Sequence, residues 1–68
     1  MKKHSVIICG HSTSFSLEEP FWAELKEIAK IQNKSLASLI TQIDATRTTN
    51  LSSALRVFVF NWVKEHLE

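Results

Sequence analysis

The side chains in this sequence that could do chemistry are one cysteine, three histidines and a row of hydroxyls near the N-terminus. Cys9 and His11 lie two apart, His4 is near them in sequence, and His66 is far off. Thiolate and imidazole are good ligands for zinc, nickel or copper. A zinc finger needs paired cysteines and a disulfide needs two, so one cysteine excludes both within this chain. Cys9 therefore reads as a small buried hydrophobe, and His11, beside Gly10, as a structural hydrogen-bonding group in a turn. No metal and no other cofactor is expected. Serines and histidines are plentiful, yet no Gly-rich elbow or phosphate loop accompanies them, so the chain does not read as an enzyme. What remains is Ser12, Ser14 and Ser16, alternating with Thr13, Phe15 and Leu17. That period of two gives a strand with one apolar face and one hydroxyl face. The hydroxyl face is either solvated or a binding surface.

The elements that must carry this row follow from length and pattern. Sixty-eight residues and 7.8 kDa make one small domain, spanning residues 1–68, whose core alone would supply roughly 3–5 kcal/mol. With 44% apolar residues and a net charge of +1, the chain is not disordered. Self-association is the natural further stabiliser. The longest apolar runs, Val6-Ile7-Ile8-Cys9 and Val57-Phe58-Val59-Phe60, are four residues, where a membrane span needs about 20. Met1-Lys2-Lys3 looks like a signal-peptide start, but the run behind it is too short; the expected compartment is the cytoplasm. Acidic residues are absent from the first seventeen positions, which hold Lys2, Lys3, His4 and His11, while the rest holds six basic and seven acidic residues. The near-neutral total thus hides a basic N-terminal segment ahead of a mildly acidic body.

Residues 4–17 read as a ribbon, in which Gly10-His11 either turns a hairpin or bulges one long strand. A helix is predicted over about 18–32, with Glu18 and Glu19 at its N-terminus, Pro20 in its first turn and capping-box spacing between Ser16 and Glu19. Its apolar stripe is Phe21, Trp22, Leu25, Ile28 and Ala29, and Asn33 is its left-handed stop. Ser35 can cap a second helix over about 35–47, with the stripe Leu36, Leu39, Ile40 and Ile43. Asn50 or Ser52 caps a third segment over about 51–67. Within it, the β-branched and aromatic content of Val57 to Val63 also suits a strand, but the cap and the continuing phase favour a helix. It is apolar on two sides: Leu51, Leu55, Phe58, Val59 and Trp62 on one, Val57, Phe60, Val63 and Leu67 on the other. One short chain cannot cover both, which argues for a dimer. Arg56 is expected in an inter-subunit ion pair, for instance with Asp44.

This order resembles the ribbon-helix-helix superfamily. Ser14-Phe15-Ser16-Leu17-Glu18-Glu19 followed by Phe21-Trp22-x-x-Leu25-Lys26-x-Ile28-Ala29 is similar to its ribbon and first helix, and Asn33-Lys34-Ser35-Leu36-x-x-Leu39-Ile40 to its turn and second helix. Gly10-His11-x-Thr13-Ser14 and Asn50-Leu51-Ser52-Ser53-Ala54-Leu55-Arg56-Val57-Phe58-Val59 resemble one bacterial branch of it. The resemblance implies an α+β fold, with a ribbon, two helices and an additional C-terminal helix, as an intertwined homodimer or a tetramer of such dimers. It implies a cytoplasmic, repressor-type transcription regulator that binds double-stranded DNA, with paired ribbons in the major groove. Carried onto this chain, Ser12, Ser14 and Ser16 would face bases, and Lys34 and Ser35 with adjoining backbone N–H groups would hold phosphate. Phe15, Leu17, Trp22, Leu25, Leu39, Ile40, Phe58 and Trp62 would form the dimer core. Where the branch usually has arginine, positions 4 and 12 are His4 and Ser12. Arginine reads guanine bidentately, for about 1–3 kcal/mol of discrimination per pair, whereas serine bonds to either base type. Phosphate contacts by Lys2, Lys3 and Lys34 would then carry much of the affinity, and binding would be strongly salt-dependent. The rival expectation is a protein-interaction or antitoxin-like module of the same fold, using the apolar third helix to hold a partner protein.

Overall fold

The computed structural model describes residues 2–8 and 10–66. The chain reverses between Ile8 and His11, where Gly10 takes a φ of 81°, a left-handed conformation that glycine adopts without steric cost. Two antiparallel strands result, β1 (Lys2–Ile8) and β2 (His11–Leu17), in register from Ile8 opposite His11 to Lys2 opposite Leu17. The ribbon is therefore a hairpin, not a bulged single strand. Within the chain, β2 has β1 as its strand partner. His11 is exposed at the start of β2 and makes no side-chain hydrogen bond among the described residues. The expectations for Cys9 and Leu67 lie outside those residues.

Three helices follow: α1 (Glu19–Ile31), α2 (Leu36–Thr46) and α3 (Leu51–Glu65). Asn33 has a φ of 58°, and the N–H groups of Lys34 and Asn33 donate to the carbonyls of Ala29 and Lys30, a Schellman stop for α1. Ser35 Oγ accepts from the Ser38 N–H at 3.1 Å, and Asn50 Oδ1 from the Ser53 N–H at 2.9 Å; these two caps start α2 and α3. The capping box expected for α1 is absent. Glu18 is the N-cap, without a side-chain cap bond, because its carboxylate is turned to Arg56 at 2.8 Å. That pair also corrects the expected partner of Arg56: Asp44 instead takes Arg47, one turn away at 2.6 Å.

The core sits between the inner face of the hairpin and the helices. Leu17, Leu25, Ile28, Ile40 and Leu55 expose no surface, and Ile8, Phe15, Leu39, Ile43, Leu51 and Val59 are buried around them. Phe15, Leu17, Leu25, Leu39 and Ile40, expected in a dimer core, are thus buried within one chain. The other three, Trp22, Phe58 and Trp62, are half-buried. On α3 both predicted apolar faces exist: Leu51, Leu55 and Val59 enter the core, whereas Val57, Phe60 and Val63 are exposed.

Two long-range bonds tie the start of α3 to the end of the hairpin. Ser52 Oγ donates to the Ser16 carbonyl at 2.8 Å, and Arg56 Nε donates to Glu18 Oε1 at 2.8 Å. The Arg56 hydrogen bond, and secondarily the Glu18 backbone N–H, hold the Glu18 carboxyl below its usual range, against a smaller opposing effect of burial. A carboxyl lowered in the folded state stabilises the fold above its unfolded value of about 4.3, and that contribution is lost as pH falls through the folded value. The stability gap between the wild type and Glu18→Gln, read from urea midpoints, is expected to shrink steadily from about pH 6 to about pH 3. An unchanged gap would show that the ion pair contributes nothing.

Candidate nucleic-acid interface

Alternation along both strands sorts the hairpin into two faces. His4, Val6, Ile8, Thr13, Phe15 and Leu17 turn toward the helices. On the other side Lys3 lies opposite Ser16, Ser5 opposite Ser14, and Ile7 opposite Ser12, all exposed. Directly opposed residues share a face with Cβ atoms about 5 Å apart, and Ser5 Oγ and Ser14 Oγ are hydrogen-bonded at 3.3 Å. This outer face carries no carboxylate. Its four hydroxyls can each donate and accept, and Lys3 supplies positive charge.

The expected base-facing residues Ser12, Ser14 and Ser16 are thus gathered on one exposed face. The expected phosphate contacts are not gathered with them in full. Lys3 shares the face, but Lys2 falls on the opposite side of β1, with its Nζ 3.6 Å from Glu19 Oε1. Both groups are largely exposed, so the pair stabilises little. Lys34 and Ser35 belong to the start of α2: Lys34 Nζ donates to Gln42 Oε1 at 2.6 Å, and Ser35 is the cap.

His4, one of the two positions where arginine is usual, is not on the outer face at all. Its ring stacks on Trp22 at 3.7 Å and 10°, with Phe15 at 6.1 Å, and its Nε2 is buried without a hydrogen-bond partner. The departure from arginine at position 4 therefore changes inner packing, and only Ser12 stands on the face in question. Sequence reasoning missed Ser5 and Ile7. Their signal was the alternation Lys3-His4-Ser5-Val6-Ile7-Ile8, which becomes legible once the reversal between Ile8 and His11 sets the register.

A second surface lies between α2 and α3, where a groove of about 450 Å³ is lined in part by Leu39, Ile43, Ala54, Val57 and Phe58. Among the described residues, no three His, Cys, Asp or Glu side chains come together as a metal site. No described helix is long and apolar enough to cross a membrane.

A β-hairpin held from one side by three helices, with its other face exposed and basic to neutral, defines an α+β scaffold. The family model of a ribbon-helix-helix domain matches residues 1–63, and the chain belongs to that family. Such domains are commonly DNA-binding transcription regulators, typically dimerise and are typically non-enzymatic. No curated protein and no solved structure matches the chain.

Proposed function

We propose that this protein is a cytoplasmic transcriptional repressor that binds double-stranded DNA as a homodimer through the outer face of its hairpin. The observation that carries this reading is the exposed, carboxylate-free face of Lys3, Ser5, Ser12, Ser14 and Ser16 on a ribbon-helix-helix scaffold. Two strands about 4.8 Å apart fit a major groove about 12 Å wide. In this reading Ser12, Ser14 and Ser16 meet base edges. Lys3, Lys34 and Ser35 meet phosphates, the last two at the N-terminus of α2, where orphan N–H groups favour an anion, while Lys2, turned to Glu19 on the other side of β1, is not among them. The half-buried Trp22, Phe58 and Trp62 gain cover from the second copy.

Duplex DNA titrated at several salt concentrations tests it. Four phosphate contacts in a dimer, from Lys3 and Lys34 of each copy, weaken binding on the order of a hundredfold between about 50 and 200 mM salt. No binding at the lower salt, or binding indifferent to salt, overturns the proposal. The second reading is a protein-interaction or antitoxin-like module. It is favoured by the exposed Val57, Phe60 and Val63 of α3 and expects no DNA binding at any salt.

A further inference from the structure

One side chain on the outer face of the hairpin can neither bond to a phosphate nor hydrate well. Ile7 is 62% exposed and stands on β1 directly opposite Ser12. Its neighbours in sequence behave differently: Ile8 is buried and Val6 half-buried, both turned to the helices. A strand face that merely meets water takes polar residues, the usual alternation of a half-exposed antiparallel sheet. Ile7 breaks that rule on a face otherwise made of hydroxyls and one lysine.

The three cross-strand pairs give the face an order. Lys3 with Ser16 makes a basic end, Ser5 with Ser14 a hydrogen-bonded hydroxyl centre, and Ile7 with Ser12 an apolar and hydroxyl end beside the turn. An A·T base pair shows a matching chemistry in the major groove. Thymine presents its C5-methyl group next to the O4 acceptor, and adenine presents a donor and an acceptor. An apolar side chain beside a hydroxyl can cover the methyl group while the hydroxyl bonds to the neighbouring polar edge. A G·C pair offers no methyl group, and Ile7 would strip water from its polar edge without replacing the lost hydrogen bonds. Ile7 is also the single apolar side chain among the six of this face. It is a point contact, not part of a broad apolar patch that a protein partner would need.

We infer that Ile7 determines the specificity of this face by contacting a thymine C5-methyl group, so that Ile7 and Ser12 together favour A·T pairs in the major groove. The inference rests on the DNA-binding reading and deepens it by naming the base chemistry recognised. It also makes β1 a reading strand alongside β2.

Removing the methyl group from the DNA tests this directly. An A·T-rich duplex is compared with the same duplex in which uracil replaces every thymine, which deletes C5-methyl groups and keeps O4 and the base pairing. Fluorescence anisotropy at low salt is read for the wild type and for Ile7→Ala, with circular dichroism to confirm that the exposed substitution leaves the fold intact. The wild type is expected to bind the thymine duplex roughly fourfold more tightly per methyl contact, the effect of burying one methyl group. Ile7→Ala is expected to bind both duplexes alike, with the salt dependence of the wild type. Equal binding of both duplexes by the wild type, with salt dependence intact, overturns the role of Ile7 and leaves the DNA reading standing. A preference that survives in Ile7→Ala also overturns it. No salt-dependent binding to either duplex overturns both.

Discussion

Leu55→Ala is expected to remove a large part of the protein's stability and to shift its urea midpoint far down. Leu55 exposes no surface and belongs to the core cluster that joins Leu17 of β2, Leu25 and Ile28 of α1 and Ile40 of α2. Truncating a fully buried leucine removes its transfer free energy and leaves a cavity, a loss of about 2–5 kcal/mol. The domain as a whole has only about 3–5 kcal/mol to lose from its core. A small chain buries only about 60% of the surface exposed on unfolding, so little other buried surface is left to absorb the loss. Far-UV circular dichroism with urea titration measures it; a variant whose midpoint stays at the wild-type value would show that the packing at Leu55 is not what holds the helices to the hairpin. If self-association adds stability, the transition of the wild type also moves upward with protein concentration.

The second large effect separates binding from folding. Ser14→Asp is expected to weaken DNA binding at least a hundredfold at low salt while the helical content stays that of the wild type. Ser14 is exposed at the centre of the outer face, opposite Ser5 and hydrogen-bonded to it. A carboxylate there accepts hydrogen bonds but donates none, and a dimer presents it twice against phosphates and the acceptor-rich groove. Like-charge juxtaposition at an interface costs several kcal/mol. Aspartate is a poor strand former, which costs up to about 1 kcal/mol of stability, so Ser14→Ala serves as the companion. It removes the Ser5 hydroxyl bond without adding charge and is expected to weaken binding only a few-fold. Anisotropy with labelled duplex reads both. If Ser14→Asp binds as tightly as the wild type, the outer face of the hairpin is not the DNA surface.

Parts of this structure were legible because their causes are local. Ser12 to Leu17 alternates with a period of two, and a pleated strand must then separate hydroxyls from apolar side chains. Asn33 tolerates a left-handed backbone, and Ser35 and Asn50 cap the N–H groups three residues on. Each of these rules operates within one turn of chain. The stripes of α1 and α2 likewise follow from a 3.6-residue repeat, and Leu25, Ile28, Leu39 and Ile40 are buried accordingly. The same repeat showed α3 to be apolar on two sides, though not which residues outside it would be covered.

Other features had causes outside any short window. Whether Gly10 closes a hairpin depends on the pairing of residues as distant as Lys2 and Leu17, and that pairing put Lys3, Ser5 and Ile7, not Lys2 and His4, on the face of Ser12, Ser14 and Ser16. Ser16 and Glu19 have the spacing of a capping box, but Ser52, 36 residues away, donates to the Ser16 carbonyl, and Arg56, 38 residues from Glu18, takes its carboxylate. By itself, then, the sequence determined the helices, the caps of α2 and α3 and a hydroxyl face on β2, because hydrogen-bond geometry and side-chain periodicity act between near neighbours. Only the tertiary structure decided which second strand completes that face and which side chains lock α3 onto the hairpin. Those choices belong to the contacts made when distant segments bury their apolar faces together, and no local pattern encodes the partner.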